Sequence, residues 1–271
     1  MSVVLAGIAP HPPLLIPEIG RGELDKVKQT QQALQKLSRE IAATCPDTVI
    51  IITPHGPITK DTPVIMTGDE LRGDFASFRA PDVKVSASID GELAGAIALA
   101  ARNRGIEVFF QSEAGEMLDH GVSVPLYYLQ EAGTGRQCVA VTFAFLPYQK
   151  LFHFGEAVQE ASTSTGRRTV VVASGDLSHR LFPGAPSGYN PRGREFDELL
   201  VEHLEQYRVG EILTMDEKLI SAAGECGLRS IAIMLGCLSG FTVKPQVLSY
   251  EGPFGVGYLV ALFTPQDGMI D

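Results

Sequence analysis

The chain has 271 residues, 45% of them hydrophobic, enough to bury a substantial core within one domain. Its formal charge is −10, from 22 Lys and Arg against 32 Asp and Glu, and no basic block occurs. That balance argues against nucleic acid or an anionic membrane surface as the main partner. Charges, Gly or Pro interrupt every apolar run before it reaches membrane-spanning length, and the first run has no basic segment ahead of it. Cys45, Cys138, Cys226 and Cys237 form no CxxC pair and no small-domain disulfide framework, so they read as reduced thiols in a cytoplasmic protein.

Strand-like and helical segments alternate along the chain. Ser2 to Ala9 reads as a first strand, followed by a helix from about Gly22 to Ala43 with Leu24, Val27, Leu34, Leu37 and Ile41 mostly at helical spacing. A Cys45-Pro46-Asp47 turn leads into the strand Thr48 to Thr53, and Pro63 to Met66 is a further short strand. Asp90 opens an Ala-rich helix to Arg104 as its N-cap. Then come strand Glu107 to Phe110, helix Val122 to Leu129, strand Cys138 to Phe145, helix Tyr148 to Ser162 and the β-branched strand Arg168 to Ser174. The Gly- and Pro-rich run Phe182 to Pro191 is a surface loop ahead of helix Arg192 to Tyr207, and two more helices cover Val209 to Ala223 and Leu228 to Leu238. The last two strands are joined by only Glu251-Gly252-Pro253-Phe254, which favours an antiparallel hairpin. The expected architecture is a single α/β domain over 1–271, with a mostly parallel central sheet flanked by helices and a C-terminal antiparallel hairpin.

His11 and His55 each stand directly after a proline at the end of a predicted strand. In an open α/β sheet the crevice beyond the strand carboxyl ends is where ligands bind. Two neutral imidazoles converging there suggest a metal if a third ligand exists. Glu251, at the end of the run Pro245 to Tyr250, is the candidate. Glu225, in the Gly-flanked turn before Cys226, is its rival and reads more simply as a helix-end charge. Two His and one carboxylate are what a non-haem Fe(II) site requires, and zinc accepts the same ligands. His120 and His179 also lie at element ends. Asp119 suits an N-cap for the following helix, and Asp176 suits a turn cap or a carboxylate that fixes the tautomer of a nearby imidazole. His153 and His203 fall inside helical patterns as surface or packing residues. No Gly-x-Ser-x-Gly elbow, P-loop or dinucleotide fingerprint is present.

At these residues the chain resembles the class III extradiol ring-cleavage dioxygenases of the catalytic B-subunit, LigB-like type, over nearly its whole length. The segments that carry the resemblance are Ala9-Pro10-His11-Pro12-Pro13, Ile52-Thr53-Pro54-His55-Gly56, Leu118-Asp119-His120-Gly121-Val122-Ser123-Val124-Pro125-Leu126, Ser174-Gly175-Asp176-Leu177-Ser178-His179 and Tyr250-Glu251-Gly252. The resemblance implies that His11, His55 and Glu251 ligate Fe(II), that His179 is the acid/base group, and that His120 contacts substrate or oxygen. It implies a small catechol-like diol and dioxygen as substrates.

The chain looks closest to the branch that includes the Memo proteins, whose members are often associated with an AMMECR-type domain and a radical-SAM protein. Some members of that branch carry cysteine in place of the carboxylate ligand. Two other readings stand beside the dioxygenase: a Memo-like metal-binding protein that works with such partners without ring cleavage, and a metal-dependent hydrolase on the same ligands. A homo-oligomer is the default expectation from point-group symmetry.

Overall fold

The computed structural model describes residues 2–112 and 118–269. In chain order these form β1 (Val3–Ala9), α1 (Pro17–Gly20), α2 (Lys28–Ala43), β2 (Thr48–Thr53), β3 (Val64–Thr67), β4 (Glu70–Phe75), β5 (Ala80–Ile89), α3 (Gly91–Asn103) and β6 (Phe109–Ser112). They continue as α4 (His120–Glu131), β7 (Gln137–Thr142), α5 (Tyr148–Ser164), β8 (Thr169–Ser174), α6 (Arg192–Glu205), α7 (Val209–Leu213), α8 (Glu217–Ala223), α9 (Leu228–Gly236), β9 (Phe241–Glu251) and β10 (Tyr258–Met269).

One sheet runs through the molecule in the order β4-β5-β7-β2-β8-β1-β10-β9, with β3 pairing both β6 and β7. Its centre, β7-β2-β8-β1, is parallel throughout. These strands read as unbroken apolar runs because both faces are covered. Side chains alternate between two cores: Ile50, Ile52, Val171 and Ala173 pack on one face with α3, α5 and α9, while Val49, Ile51, Val170 and Val172 pack on the other with α2 and α4. The C-terminal hairpin is antiparallel, and β10 also runs antiparallel to β1. The sheet is therefore mixed around a parallel centre.

Several boundaries differ from the sequence reading for local reasons. The expected helix from Gly22 begins as a 3-10 segment, and the α-helix starts only at Lys28. The expected helix Val209 to Ala223 is two helices, because the Asp216 carboxylate accepts from the Lys218 N–H and caps a new start. The antiparallel pair β4–β5 was not anticipated. No described helix is long and apolar enough to cross a membrane.

Candidate metal centre and cavity

The carboxyl ends of β1, β2 and β8 lie side by side, so the residues just past them meet. His11 follows β1, His55 follows β2, and Asp176 and His179 follow β8. α4 brings His120 to the same place: its ring centroid lies 5.4 Å from that of His11 and 4.3 Å from that of His55. His11, His55 and His120 each present a nitrogen within 4.8 Å of the others.

Hydrogen bonding fixes the tautomer of His11. The Ser174 hydroxyl donates to the Gly121 carbonyl at 2.6 Å, so its oxygen is left to accept from His11 Nδ1–H at 3.0 Å. The Nε2 lone pair of buried His11 consequently points inward, 3.2 Å from His55 Nε2. On the other side Asp119 works twice. Its Oδ1 accepts from the Gly121 N–H at 2.9 Å as N-cap of α4, and it lies 3.0 Å from His120 Nδ1 and 3.8 Å from His55 Nδ1. Burial opposes its ionisation, but the His120 hydrogen bond and the Gly121 N–H overcome that and hold the carboxyl at about 2.

Burial first, then the neighbouring His55 and His120, push His11 well below the usual imidazole range, and burial is also the main cause that lowers His55 and His179. Neutral imidazoles are the metal-ligating form. With His11 protonated at Nδ1, its Nε2 accepts a hydrogen bond from His55 Nε2–H at 3.2 Å, a proton that a cation bound by both nitrogens would displace. Adjacent nitrogens on one cation, with bonds of about 2.1 Å, are spaced by roughly this distance. The donor set fits a divalent metal.

Glu251 does not complete it. β10 separates β9 from β1, and the Glu251 Oε1 accepts from both the Thr30 N–H at 2.8 Å and the Thr30 hydroxyl at 2.6 Å. α2 has no side-chain cap from its own N-cap residue, Val27, so Glu251 satisfies one of the free N–H groups of the first turn from across the fold. This corrects the expectation that Glu251 stands with the histidines. Glu225 is indeed a helix-end group: its Oε2 accepts from the Leu228 N–H at the start of α9.

The residue the sequence reading passed over is Cys226. Its Sγ lies 3.8 Å from His11 Nε2, and the Asp176 N–H donates to it at 3.3 Å. His11, Asp176 and Cys226 form a second group whose donor atoms all lie within 4.8 Å of one another. The signal available in the sequence was the Gly224-Glu225-Cys226-Gly227 turn, which singled out its glutamate rather than its thiol. Burial pushes the Asp176 carboxyl up to about 7, against the pull of the His11 N–H, and pushes the Cys226 thiol higher still. His179 donates from Nδ1 to the Gly224 carbonyl at 2.8 Å, leaving Nε2 facing Asp176 Oδ2 at 3.9 Å.

A cavity of about 600 Å³ opens beside the histidines, with His120, Asp119, Leu118 and Gly56 on one wall. Asp74 from the end of β4 and Ser77 and Phe78 from the turn that follows it also line the cavity, and Phe78 meets the edge of His120 at 5.7 Å. These three were missed with their hairpin. The alternation Val83-Lys84-Val85-Ser86-Ala87-Ser88-Ile89 was the signal that would have found it.

The family described as the catalytic LigB subunit of aromatic ring-opening dioxygenase matches residues 5–261. Protein CA_C1420 of Clostridium acetobutylicum is 39% identical over 258 residues, 93% of this chain. The chain spans only 55% of that relative's length. The 2-aminophenol 1,6-dioxygenase beta subunit of a Pseudomonas species is 24% identical over 247 residues, 82% of this chain and 80% of that protein. The crystal structure of uncharacterized protein JW3007 from Escherichia coli K12 shares the fold, with a TM-score of 0.61 at 16% identity, covering 96% of this chain and 99% of that one. With the histidines at the strand ends and a match over nearly its whole length, the chain belongs to the LigB family of aromatic ring-opening dioxygenases.

Proposed function

We propose that the protein is an Fe(II)-dependent extradiol-type dioxygenase acting on a small aromatic diol or aminophenol. The observation that carries this reading is the pair of inward-facing Nε2 atoms of His11 and His55, 3.2 Å apart beside the cavity walled by His120. Cys226 is the third ligand in this reading, in place of the expected Glu251. It lies on the buried side with His11, whereas His120 lines the cavity and is left free for substrate. One thiolate with two neutral imidazoles leaves divalent iron with a single net positive charge, the same as a carboxylate would. When bound, iron supplies a path for electrons from a chelated diol to dioxygen.

The chain's own groups do the rest. Phe78 and Leu118 give the ring apolar walls and exclude water, and Gly56 leaves room for its approach. His120, held through Nδ1 by Asp119, presents its other nitrogen to the substrate oxygens. His179, held through Nδ1 by Gly224, keeps Nε2 free to take up a proton and deliver it, with Asp176 beside it as the carboxyl group that shares it.

The test is to load the protein anaerobically with Fe(II), then add air with catechol or 2-aminophenol while following oxygen uptake and product absorbance. Oxygen consumption with a ring-opened product supports the reading. An iron-loaded protein that consumes no oxygen with either compound overturns it.

Cys226 favours one second reading, a Memo-like metal-binding protein without ring cleavage, since a thiolate broadens the site toward softer metals. Tight binding of zinc or Cu(I) in preference to iron, together with inert diols, is the outcome that selects it.

A further inference from the structure

A second cavity, of about 390 Å³, lies between α5, α8 and α9 and shares no lining residue with the first. Its walls include Tyr148, Glu217, Ser221, Gly224, Glu225 and Arg229.

Arg229 is held in an unusual way. Its guanidinium carbon lies 5.0 Å from the ring centre of Phe145, 5.2 Å from that of Tyr148 and 5.8 Å from that of Phe143. Stacking on aromatic faces leaves the N–H edge of a guanidinium available for a planar acceptor. Among the described residues Arg229 makes no hydrogen bond and no ion pair, its Nε is buried without a partner, and its charge acts on Glu225 and Tyr148, which line the same cavity. A buried polar atom of this kind calls for an explanation.

Glu217 lines the same cavity with the opposite charge and is likewise without a hydrogen bond or ion pair among the described residues. Glu225 is already engaged by the Leu228 N–H. The cavity is therefore lined by the Arg229 guanidinium and by Glu217, which form no ion pair with each other, together with Glu225, Tyr148, Ser221 and the apolar Ile220. Its volume falls in the range of small-molecule sites, roughly 300–1,000 Å³.

We infer that this cavity binds a small zwitterion of the α-amino-acid type, with its carboxylate on the Arg229 edge and its ammonium on Glu217. A simple anion is disfavoured by Glu217 and a simple cation by Arg229, whereas a molecule carrying both charges satisfies both. Nothing in this assignment depends on the metal or on ring cleavage.

Isothermal titration of the full chain tests it, with L-phenylalanine as the probe and phenethylamine and 3-phenylpropionate as versions lacking one charge each. L-Phenylalanine is expected to bind with one site per chain, and each truncated compound to bind more weakly by about tenfold or more. Arg229→Gln and Glu217→Gln are each expected to weaken L-phenylalanine by about tenfold or more. Glu217 is exposed, so Glu217→Gln keeps the test intact if loss of the stacked guanidinium unsettles the fold. The inference is overturned if 3-phenylpropionate binds as tightly as L-phenylalanine, if Glu217→Gln changes nothing, or if L-phenylalanine, L-leucine and L-serine all give no heat up to roughly 10 mM.

Discussion

Ser174 and His11 are joined by a 3.0 Å hydrogen bond with only one workable direction, because the Ser174 proton is already given to the Gly121 carbonyl at 2.6 Å. A single hydroxyl thus ties together the end of β8, the imidazole after β1 and the first turn of α4 that carries His120. Ser174→Ala removes the acceptor and lets the imidazole adopt the other tautomer. Removal of such a supporting partner weakens metal binding by roughly 10–100-fold. The fold should survive, at about 1–3 kcal/mol for the Gly121 and His11 groups left unpaired. Competition with a chromophoric chelator reads the affinity, and thermal unfolding reads the stability; unchanged affinity would dissociate Ser174 from the site.

Cys226 and Glu251 make opposite predictions. Cys226→Ser replaces a thiolate donor with a poor one and should lower the bound iron or zinc measured by elemental analysis, with little change in unfolding temperature. Glu251→Gln or Glu251→Ala should leave metal content intact. The alanine variant uncaps α2 and should cost about 0.5–2 kcal/mol, the range for losing a capping side chain. If instead Glu251→Ala empties the site at unchanged stability, the carboxylate is the ligand after all.

The positions of His11 and His55 were legible because a strand that is apolar on both faces, ended by proline, fixes where the next residue emerges. The β-branched run of β8 likewise located His179 beyond its end, and the apolar helical run after Asp119 located the cap of α4. Glu251 shows where that reasoning stops: a strand end puts a residue at the right edge of the sheet, but strand order decides its distance. Nothing local in Pro245 to Tyr250 tells that β10 inserts between β9 and β1. Cys226 was hidden for a related reason, since it reaches His11 through the close approach of two turns far apart in sequence. The β4–β5 hairpin was missed because its turn has no Gly at the left-handed position: Arg79, with φ of 64°, takes that conformation.

The close approach that brings Cys226 to His11 rests on two glycines. A Cβ on Gly175 would lie 2.2 Å from the Gly227 Cα, a backbone atom that no rotamer change can move. Gly175→Ala therefore has to push apart the turn bearing Asp176 from the turn bearing Cys226. Overpacking of this kind costs about 1–3 kcal/mol, and here it should also lengthen the Cys226–His11 distance. The expected result is a lower unfolding temperature together with weaker metal binding. Gly22→Ala, with no atom within 4 Å of the added Cβ, serves as the control that should change neither.

Asp197 offers a test of electrostatics away from the histidine cluster. Its Oδ1 accepts from the Ser178 N–H at 2.8 Å and its Oδ2 from the Tyr250 hydroxyl at 2.7 Å. Burial nevertheless outweighs both and pushes the carboxyl up to about 7. In the unfolded chain the same group titrates near about 3.9. A carboxyl whose pKa is raised by folding binds its proton more tightly in the native state. Its contribution is fully present below about pH 4 and is lost as the pH rises through about 7. Wild-type unfolding temperature should therefore fall between about pH 4 and pH 8 by an increment that Asp197→Asn removes. The asparagine keeps an oxygen for the Ser178 N–H, so the variant should match the wild type or fall slightly below it at low pH and gain on it at pH 8. Parallel pH profiles for the two proteins would mean that Asp197 is ionised in the native state throughout, and that Tyr250 and Ser178 outweigh its burial.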